Sequence, residues 1–382
     1  MEYVQGRVAT LHDLADPVPA APVDRAAVVV PMAERDCLSD AADRVCRTLE
    51  RLDPDRVVIP LRAPAERVGP VREWLATYDL RVELLWCDGP RVNDLLSDAG
   101  LDGARGKGRD VWLAVGRAAA DSEFVVVHDA DTTTYDESFV RRLLFPLGRG
   151  YEFSKGYYAR VEDRRLYGRL FRLFYVPLVR TLLDAHPEPF LQYLDSFRYA
   201  LAGEFAATAA TARRIRMPRT WGLEVGTLGD VFDIAGFSGT AQVDLGRYEH
   251  DHRGVGGSGG LSAMSRSVGD TLLRSVVDHG VDVDFDTLEE RYRATAAELV
   301  DQYELDAAFN GFDFDREHER DQVSQYAEAV AAPTGPDDRL PAWEHAPLDP
   351  DAVADAAAAD VEEAADAAAE TPAAASPTEA GE

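Results

Sequence analysis

The residues best suited to chemistry are two aspartates that follow an apolar run. Residues 123–131 read EFVVVHDAD, which puts Asp129 and Asp131 one residue apart at the end of a predicted strand. Side chains alternate along an extended chain, so both carboxylates would point the same way. Their oxygens can then hold one hard divalent cation, Mg²⁺ or Mn²⁺, which keeps phosphate oxygens as further ligands. The pair predicts a metal-dependent site for a nucleotide diphosphate.

A lysine lies upstream of this pair, and lysine is rare in the chain. Of the 40 lysines and arginines, two are lysines, Lys107 and Lys155. Lys107 precedes a helical pattern over 108–120, from where its charge can approach a diphosphate. Chance offers another explanation for an Asp-x-Asp pair, because the chain has 69 acidic residues. The location at the carboxyl end of a strand, where open α/β sheets bind ligands, favours a functional site.

The elements that must position these residues alternate between strands and helices. Apolar runs predict strands at 25–32, 56–61, 81–88 and 123–131, and amphipathic patterns predict helices at 40–52, 65–78 and 108–120. Such alternation is typical of an α/β fold with a mainly parallel sheet. The later pattern is looser and predicts strands at 152–161 and 239–246 and helices at 167–185, 203–214, around Val231, at 261–279 and at 286–304.

Charge and composition limit the class of protein. A net charge of -29 and a pI near 4.6 exclude a general nucleic-acid binder, which needs clustered Lys and Arg. Excess acid with little lysine is typical of a salt-adapted, halophile protein, whose self-repulsion is screened at high ionic strength. The three cysteines (Cys37, Cys46 and Cys87) form no C-x-x-C pair, so we expect free thiols.

The termini of the chain are predicted to carry no chemistry. The first apolar run is interrupted by His12 and Asp13, and no run reaches about eighteen uncharged apolar residues. We therefore expect a cytoplasmic protein without a transmembrane segment. From Pro333 onward Ala, Pro, Asp and Glu dominate, which predicts a disordered acidic tail over 333–382.

Several short motifs in a fixed order resemble one family of enzymes. The motifs are GKG-x-x-x-W (106–112), DAD (129–131), SKGYYAR (154–160), GR (168–169), GEFA (203–206), WGLEVG (221–226) and QVDLG-x-x-x-H (242–250). Together they resemble the retaining GT-A, family 2-like glycosyltransferases that make glucosyl-3-phosphoglycerate. Similarity to mannosylglycerate and mannosyl-3-phosphoglycerate synthases is weaker. The resemblance implies a Rossmann-like GT-A fold with a helical acceptor-side half.

The resemblance implies roles for the residues around the diphosphate. Asp131 and His250 would hold the metal, Mg²⁺ or Mn²⁺, and Asp129 would contact the donor ribose or the cation. Lys107 would stabilise the leaving nucleotide. Glu224 would be catalytic, because a carboxylate near the acceptor can orient its hydroxyl or take its proton. The alternatives are a solvated His250 in an acidic loop and an exposed Lys107 at a helix start.

The nucleotide side departs from the family pattern. The loop after the first strand reads Pro31-Met32-Ala33-Glu34, where the family has Pro-x-x-Asn-Glu, so Glu34 is the candidate for the ribose with Pro31 beside it. Asp88 is the candidate that reads the base, and Ala130 would lie at the donor between the two aspartates. The resemblance favours UDP, with GDP as the alternative.

The acceptor side rests on one arginine and its surroundings. The resemblance implies acceptor contacts from Gly168, Arg169, Gly203, Glu204 and His252. The Arg169 fork fits phosphate oxygens bidentately, whereas its alternative is a structural arginine at a helix start. Glu204 alternatively braces the element that follows it. Phe171 stands where the family has a small hydroxyl residue, and His252 replaces an amide, so the acceptor is left open.

The implied activity is metal-dependent, retaining transfer of a hexose, glucose before mannose. The donor would be a nucleotide-diphosphate sugar, UDP-glucose first, and the acceptor a small phosphorylated molecule such as 3-phosphoglycerate. We expect an N-terminal arm at 1–24, a nucleotide-sugar-binding half at 25–135 and an acceptor-binding half of the same catalytic domain at 136–330. A homodimer is compatible with this arrangement.

Two alternatives differ from this activity. Residues 164–185 combine an apolar stretch with Arg164, Arg165, Arg169 and Arg172, which would suit a helix lying on a membrane and a lipid-phosphate acceptor. The other alternative is a nucleotide-sugar-binding protein without catalysis.

Overall fold

The computed structural model describes residues 5–249 and 258–370, and its framework is one large sheet. The strands are β1 (Ala9–Leu11), β2 (Ala26–Val29), β3 (Met32–Ala33), β4 (Arg56–Arg62), β5 (Val82–Trp86), β6 (Phe124–Val127), β7 (Phe153–Ala159), β8 (Val161–Glu162), β9 (Arg165–Leu166), β10 (Phe205–Thr208) and β11 (Thr240–Arg247). Within the described ranges, the sheet has nine strands in the order β1-β11-β7-β10-β6-β2-β4-β3, with β5 also paired to β4. Strand β10 is antiparallel to both neighbours and the other pairs are parallel. The predicted α/β fold with a mainly parallel sheet is confirmed.

Helices cover both faces of this sheet. They are α1 (Asp40–Leu52), α2 (Ala65–Leu75), α3 (Pro90–Asp98), α4 (Lys107–Asp121), α5 (Glu137–Leu147), α6 (Val176–Ala185), α7 (Pro189–Asp195), α8 (Ala209–Ala212), α9 (Leu223–Ala235), α10 (Ser258–Asp278), α11 (Phe285–Asn310), α12 (Arg316–Ala327) and α13 (Pro350–Glu370). A π-helical turn at Leu170–Tyr175 leads into α6. Strands β8 and β9 form a separate small hairpin.

Two apolar cores form on opposite faces of the sheet because strand side chains alternate. In β2, Ala27 and Val29 lie in one core, with α4, and Ala26 and Val28 lie in the other, with α1. Central strands buried on both faces need continuous apolar runs. This requirement explains why the first four strands of the parallel half could be predicted from apolar runs in the sequence.

The predicted elements of the first half are confirmed, with small shifts at their ends. The predicted helix at 40–52 matches α1, whose start is fixed by the Ser39 hydroxyl accepting a hydrogen bond from Ala42 N. The helix predicted at 65–78 matches α2, which contains Pro70 and ends at Leu75. The helix expected at 167–185 is divided into the π-helical turn and α6.

The helix predicted at 203–214 is wrong. Residues Phe205–Thr208 form β10, which is inserted between β6 and β7, and only Ala209–Ala212 are helical. Alanine-rich sequence favours a helix locally, but the two flanking strands offer this segment a full set of ladder hydrogen bonds.

The disordered tail predicted at 333–382 is wrong for residues 340–370. Trp343 stacks on Trp112 of α4, with ring centroids 4.1 Å apart, and Leu340 pairs with Met217 in a β-bridge. Helix α13 then packs on α2, α3, α4 and β5. We call residues 340–370 the C-terminal arm. The apolar residues within its acidic composition face the body, as the burial of Val353, Ala357 and Val361 shows.

The membrane-surface alternative loses its physical basis. The apolar side chains of the 164–185 segment lie in the core, including Phe174, Leu178 and Leu182. In the described part of the chain, no helix has the length and apolar character needed to cross a bilayer.

Candidate active site

Three predicted charges meet at the carboxyl end of the parallel strands. Lys107 opens α4, Asp129 follows β6, and Glu224 lies in the first turn of α9. Lys107 Nζ is 2.6 Å from Asp129 Oδ1 and 3.4 Å from Glu224 Oε1. The structure therefore brings these three residues together, and the lysine is partly buried rather than an exposed helix-start residue.

The environment of Lys107 keeps it charged. Burial is the largest influence and disfavours the ammonium form, but the negative charges of Asp129 and Glu224 outweigh it and raise the pKa of Lys107 above its usual value. A permanently charged lysine at this position can neutralise an anionic ligand throughout the physiological pH range.

Asp131 lies in a very different environment from that of Asp129. Among the described residues, its Oδ1 is buried without a hydrogen-bond partner. Burial, followed by the negative charges of Asp129 and Asp36, raises the pKa of Asp131 to about 7. A buried carboxylate oxygen without a donor is costly unless a cation or proton satisfies it. The donor chemistry therefore fits an oxygen-preferring divalent cation.

Glu204 is a fully buried carboxylate beside this centre. It accepts hydrogen bonds from the hydroxyls of Tyr158, at 3.0 Å, and Tyr248. Thr132 donates in turn to the Tyr248 oxygen at 2.6 Å. Burial and the charge of Asp129 raise the pKa of Glu204, while the two tyrosine hydrogen bonds act in the opposite direction. This satisfied network links the β10 start to the segment after Asp131.

Gly203 lies against the charged pair. A Cβ atom at this position would sit 2.7 Å from Asp129 Oδ2 and 3.0 Å from Lys107 Nζ. Any side chain here would displace Lys107 or Asp129, so the close approach of these two groups explains the glycine. The acceptor contact expected of Gly203 stays a prediction. Gly203 and Glu204 thus belong to the same cluster as Lys107.

The proposed acceptor turn is shaped by Gly168, whose φ is +75°. A Cβ there would also meet the Tyr199 hydroxyl at 3.0 Å. The Tyr199 ring packs against Tyr158, with centroids 5.0 Å apart, and against Phe171 at 4.8 Å. These rings connect the turn to the Glu204 network, and the large Phe171 side chain is accommodated in their stack.

Arg169 has protein partners that the sequence did not predict. Its Nε is 3.3 Å from Glu319 Oε1, and its Nη1 is 2.6 Å from His318 Nε2. Arg172 Nη1 lies 3.2 Å from the other oxygen of the same glutamate. Two guanidinium groups therefore share one buried carboxylate, while the Arg169 side chain is 35% exposed.

The nucleotide-side candidates lie on loops at the same sheet edge. Pro31 separates β2 from β3. The backbone of Glu34 donates to Arg62 O at 2.9 Å, and its exposed side chain lies 3.5 Å from Arg67 Nε. Ala130 is buried between the two aspartates. Asp36, two residues after Glu34, is the acid of this loop whose negative charge raises the pKa of Asp131.

Asp88 is engaged in an ionic network. Its Oδ1 accepts a hydrogen bond from Arg109 Nη2 at 3.1 Å and lies 3.5 Å from Arg105 Nη1. Buried Arg109 also donates to Cys87 O and Asp110. These contacts fix the Asp88 carboxylate next to α4. The contact of Asp88 with the nucleotide base stays a prediction.

Two predicted residues fall outside the described part of the chain. They are His250, the proposed metal ligand, and His252, the proposed acceptor contact. Within the described ranges, no group of three or more metal-ligating side chains is assembled. The residues that sequence reasoning missed are Tyr158, Tyr248 and Thr132. The SKGYYAR motif contains Tyr158, but only the fold shows that the Tyr158 hydroxyl donates to Glu204.

Comparison with known proteins gives consistent relatives. No protein-family model matches the chain. The glucosyl-3-phosphoglycerate synthase of Methanococcoides burtonii is 33% identical over 363 residues, covering 86% of this chain and 88% of that protein. The enzyme of the same name from Persephonella marina is 37% identical, covering 72% of each chain.

Solved structures agree on the fold. A crystal structure of glucosyl-3-phosphoglycerate synthase from Mycobacterium tuberculosis, in complex with Mn²⁺, UDP-glucose and phosphoglyceric acid, has a TM-score of 0.54 at 24% identity. It covers 70% of this chain and 87% of that chain. Mannosyl-3-phosphoglycerate synthase from Rubrobacter xylanophilus has a TM-score of 0.52 at 25% identity, covering 69% and 78%.

The fold and the relatives define an enzyme, a glycosyltransferase of the GT-A type. With 33% identity over nearly the whole length of a curated relative, the chain belongs to the glucosyl-3-phosphoglycerate synthase family.

Proposed function

We propose that this enzyme transfers glucose from UDP-glucose to 3-phosphoglycerate with retention of anomeric configuration. The observation that carries the proposal is the cluster in which Lys107 bridges Asp129 and Glu224, beside Asp131 Oδ1, which has no hydrogen-bond partner among the described residues. The names of the relatives support this choice of substrates, because two glucosyl-3-phosphoglycerate synthases match most of the chain.

The proposed cofactor is Mn²⁺ or Mg²⁺, held by Asp131 with Asp129 and His250 as further ligands. Asp131 Oδ1 is buried and has no partner within residues 5–249 and 258–370, which fits this role because such a carboxylate oxygen gains most from a cation. A crystal structure of a relative contains Mn²⁺ with UDP-glucose, and another contains Mg²⁺ with UDP. When bound, the cation offsets the charge of the diphosphate as the sugar bond breaks.

Lys107 is proposed to bind the diphosphate and to stabilise the nucleotide as it leaves. Its ammonium group already lies among carboxylates, so a diphosphate would add an anion at a site where the positive charge is fixed. Asp129 orients that ammonium group through their 2.6 Å contact. Loss of this orientation would leave the charge in place but misdirect it.

Glu224 is proposed to orient the acceptor hydroxyl or take its proton. Its carboxylate lies 3.4 Å from Lys107 Nζ, the group proposed to bind the leaving diphosphate. Attack from the side of the leaving group preserves the configuration at the anomeric carbon. The Lys107–Glu224 contact therefore supports the retaining outcome.

The acceptor phosphate is proposed to bind at Arg169. The Gly168–Arg169 turn joins the Glu204 network through Tyr199, and two arginines share the single carboxylate of Glu319. The surplus positive charge and the 35% exposure of Arg169 suit a phosphate that approaches from solvent.

The experiment is an activity panel with stereochemical analysis. The purified protein is incubated with UDP-glucose, GDP-glucose or GDP-mannose, each with 3-phosphoglycerate or unphosphorylated glycerate, in Mn²⁺, in Mg²⁺ and in excess chelator. We expect metal-dependent product from UDP-glucose and 3-phosphoglycerate, with an α-linkage by proton NMR.

Each part of the proposal can fail separately in this panel. A β-linked product would contradict retention, and equal turnover in chelator would contradict the metal. Preference for glycerate over 3-phosphoglycerate would contradict the acceptor, and hydrolysis of the donor without any transfer would contradict the activity itself.

A further inference from the structure

The second lysine of the chain lies deep in the sheet, next to the catalytic cluster. Lys155 is on β7, where its register partners are Phe205 on β10 and Gln242 on β11. Its side chain is 1% exposed. A buried ammonium group costs free energy that a methionine or leucine of similar length would not, so its presence at the centre of a sheet calls for a reason.

The ammonium group of Lys155 has one close protein partner among the described residues. Its Nζ donates to the carbonyl oxygen of Ala202 at 2.6 Å and lies 5.9 Å from the centroid of the Phe205 ring. Across the described ranges, no carboxylate oxygen lies within 4.0 Å of this nitrogen. Lys155 is therefore a cation that holds a backbone carbonyl rather than one member of an ion pair.

The carbonyl held by Lys155 belongs to the segment that forms the back of the site. After Ala202 comes Gly203, which leaves no room for a Cβ against Asp129 and Lys107, and then Glu204 with its two tyrosine partners. A shift of this backbone by a fraction of an ångström would change the contact between Lys107 and Asp129.

We propose that Lys155 is a positioning residue of the transferase site, whose ammonium group holds the Ala202–Glu204 segment where Lys107 and Asp129 require it. This inference rests on the proposed function. It extends that function by giving Lys155 a role that acts through the backbone carbonyl of Ala202. The two lysines of the chain thus serve one site, Lys107 toward the ligand and Lys155 from behind.

Electrostatics supports this geometry. Burial lowers the pKa of Lys155 to about 8, although the negative charges of Glu224, Glu204 and Asp129 favour the ammonium form, and Lys107 acts in the same direction as burial. The carboxylates of the site thus keep Lys155 charged at neutral pH. The hydrogen bond from Lys155 to the Ala202 carbonyl weakens as pH rises through about 8, because the ammonium group loses its proton.

The test compares Lys155→Met with a matched loss of a buried cation elsewhere. Arg56, 6% exposed at the start of β4, lies at the opposite edge of the parallel strands and pairs with Asp121 at 2.9 Å. For each variant, the thermal melt is recorded, and kcat and KM for UDP-glucose and 3-phosphoglycerate are measured between pH 6.5 and 9.5 (about three units).

We expect Lys155→Met to melt cooperatively and to lose about 100-fold in kcat, the cost of a misplacement near 1 Å, with both KM values within about threefold of wild type. Wild-type kcat should fall above pH 8, and this alkaline fall should be absent in Lys155→Met. Arg56→Met should lower the melting temperature while leaving kcat within about twofold. If Lys155→Met does not fold, Lys155→Gln, which keeps an N–H donor, replaces it.

Several results would overturn the inference. They are an unchanged kcat in Lys155→Met, a loss matched by Arg56→Met, an alkaline fall that persists in the variant, or the failure of both Lys155 variants to fold, which would make the residue structural. A wild-type protein that transfers no sugar would instead overturn the proposed function, and the positioning role with it.

Discussion

Two charged clusters in this molecule have opposite imbalances. The lysine centre comprises Lys107, Asp129, Asp131, Glu204 and Glu224, with Lys155 behind it, so the carboxylates outnumber the cations even when both lysines are counted. In the arginine cluster, Arg169 and Arg172 share Glu319, so two cations lie on one carboxylate. The first cluster is short of positive charge and the second is short of negative charge.

The sign of the charge imbalance in each cluster indicates which kind of ion that cluster would bind favourably. A buried excess of carboxylates is costly until a cation enters, and a pair of guanidinium groups on one carboxylate gains from a further anion. The proposed reaction supplies both, a divalent cation with the donor and a phosphate with the acceptor. The following changes alter one imbalance at a time.

The largest effect is expected from Asp131→Asn, which removes a negative charge from the lysine centre. An amide of the same shape preserves packing but binds a divalent cation weakly, so kcat/KM should fall about a thousandfold, at the upper end of the cost of one transition-state stabiliser. Steady-state kinetics at fixed Mn²⁺ and calorimetric titration with UDP check this. Asp40→Asn, at the exposed start of α1, is the control, and unchanged turnover in Asp131→Asn would refute the metal assignment.

A smaller effect is expected from Arg169→Ala in the arginine cluster. Loss of a charge-assisted phosphate contact costs roughly 2–4 kcal/mol, so the KM for 3-phosphoglycerate should rise about a hundredfold while donor binding stays unaltered. Arg169→Lys should restore little, because a point charge cannot reproduce the fork. Arg165→Ala, on exposed β9, is the control.

Two results would contradict this role of Arg169. Equal loss of donor binding in Arg169→Ala would make the arginine structural, in keeping with its contacts to Glu319 and His318. Equal use of phosphorylated and unphosphorylated acceptors by the wild type would remove the phosphate site altogether.

The opposite change in the same cluster is Glu319→Gln. Removing the shared carboxylate increases the surplus of positive charge, so the KM for 3-phosphoglycerate should fall, by about threefold for a partly screened charge. The melting temperature should fall as well, because both guanidinium groups lose a partner. A rise in KM would mean that Glu319 orients Arg169 more than it competes with the phosphate.

The smallest expected effect is the pH dependence of stabilisation by Mn²⁺. The pKa of Asp131 is raised in the folded protein to about 7 from an ordinary value of 3.8. Its stabilising contribution in the metal-free protein is therefore complete below 3.8 and is lost as pH rises through 7. Mn²⁺ needs the carboxylate form, so its stabilising effect should grow between pH 5 and 8 to about 3 °C at a hundredfold excess over Kd. Differential scanning fluorimetry measures this shift, which should be absent in Asp131→Asn.

The sequence predicted the parallel half and placed Lys107 near Asp129 and Asp131, because both features leave local signals. Strands buried on two faces must be apolar throughout, and Asp129 and Asp131 directly follow one of them. The partners of Arg169 left no such signal, since Glu319 lies 150 residues downstream in α12. Strand β10 was missed for the same reason, because its identity is decided by the strands on either side.

The prediction of a disordered tail was wrong for the C-terminal arm because the composition of this segment is that of a disordered one. Periodic burial of a few alanines and valines, together with Trp343, was enough to dock it. An overall composition does not distinguish the exposed face of a helix from its buried face. It therefore does not reveal a helix whose acidic residues lie mostly on one side.

Docking of the C-terminal arm covers the helix that carries Lys107 with residues that are synthesised late. Trp343 covers the helix that begins with Lys107, and the buried carboxylate of Asp360 accepts hydrogen bonds from Arg91 N and Val92 N just after Asp88. On a ribosome these covering residues emerge after every residue of the lysine centre. A nascent chain would therefore leave the helix that begins with Lys107 uncovered on this side until residues 340–370 have been synthesised.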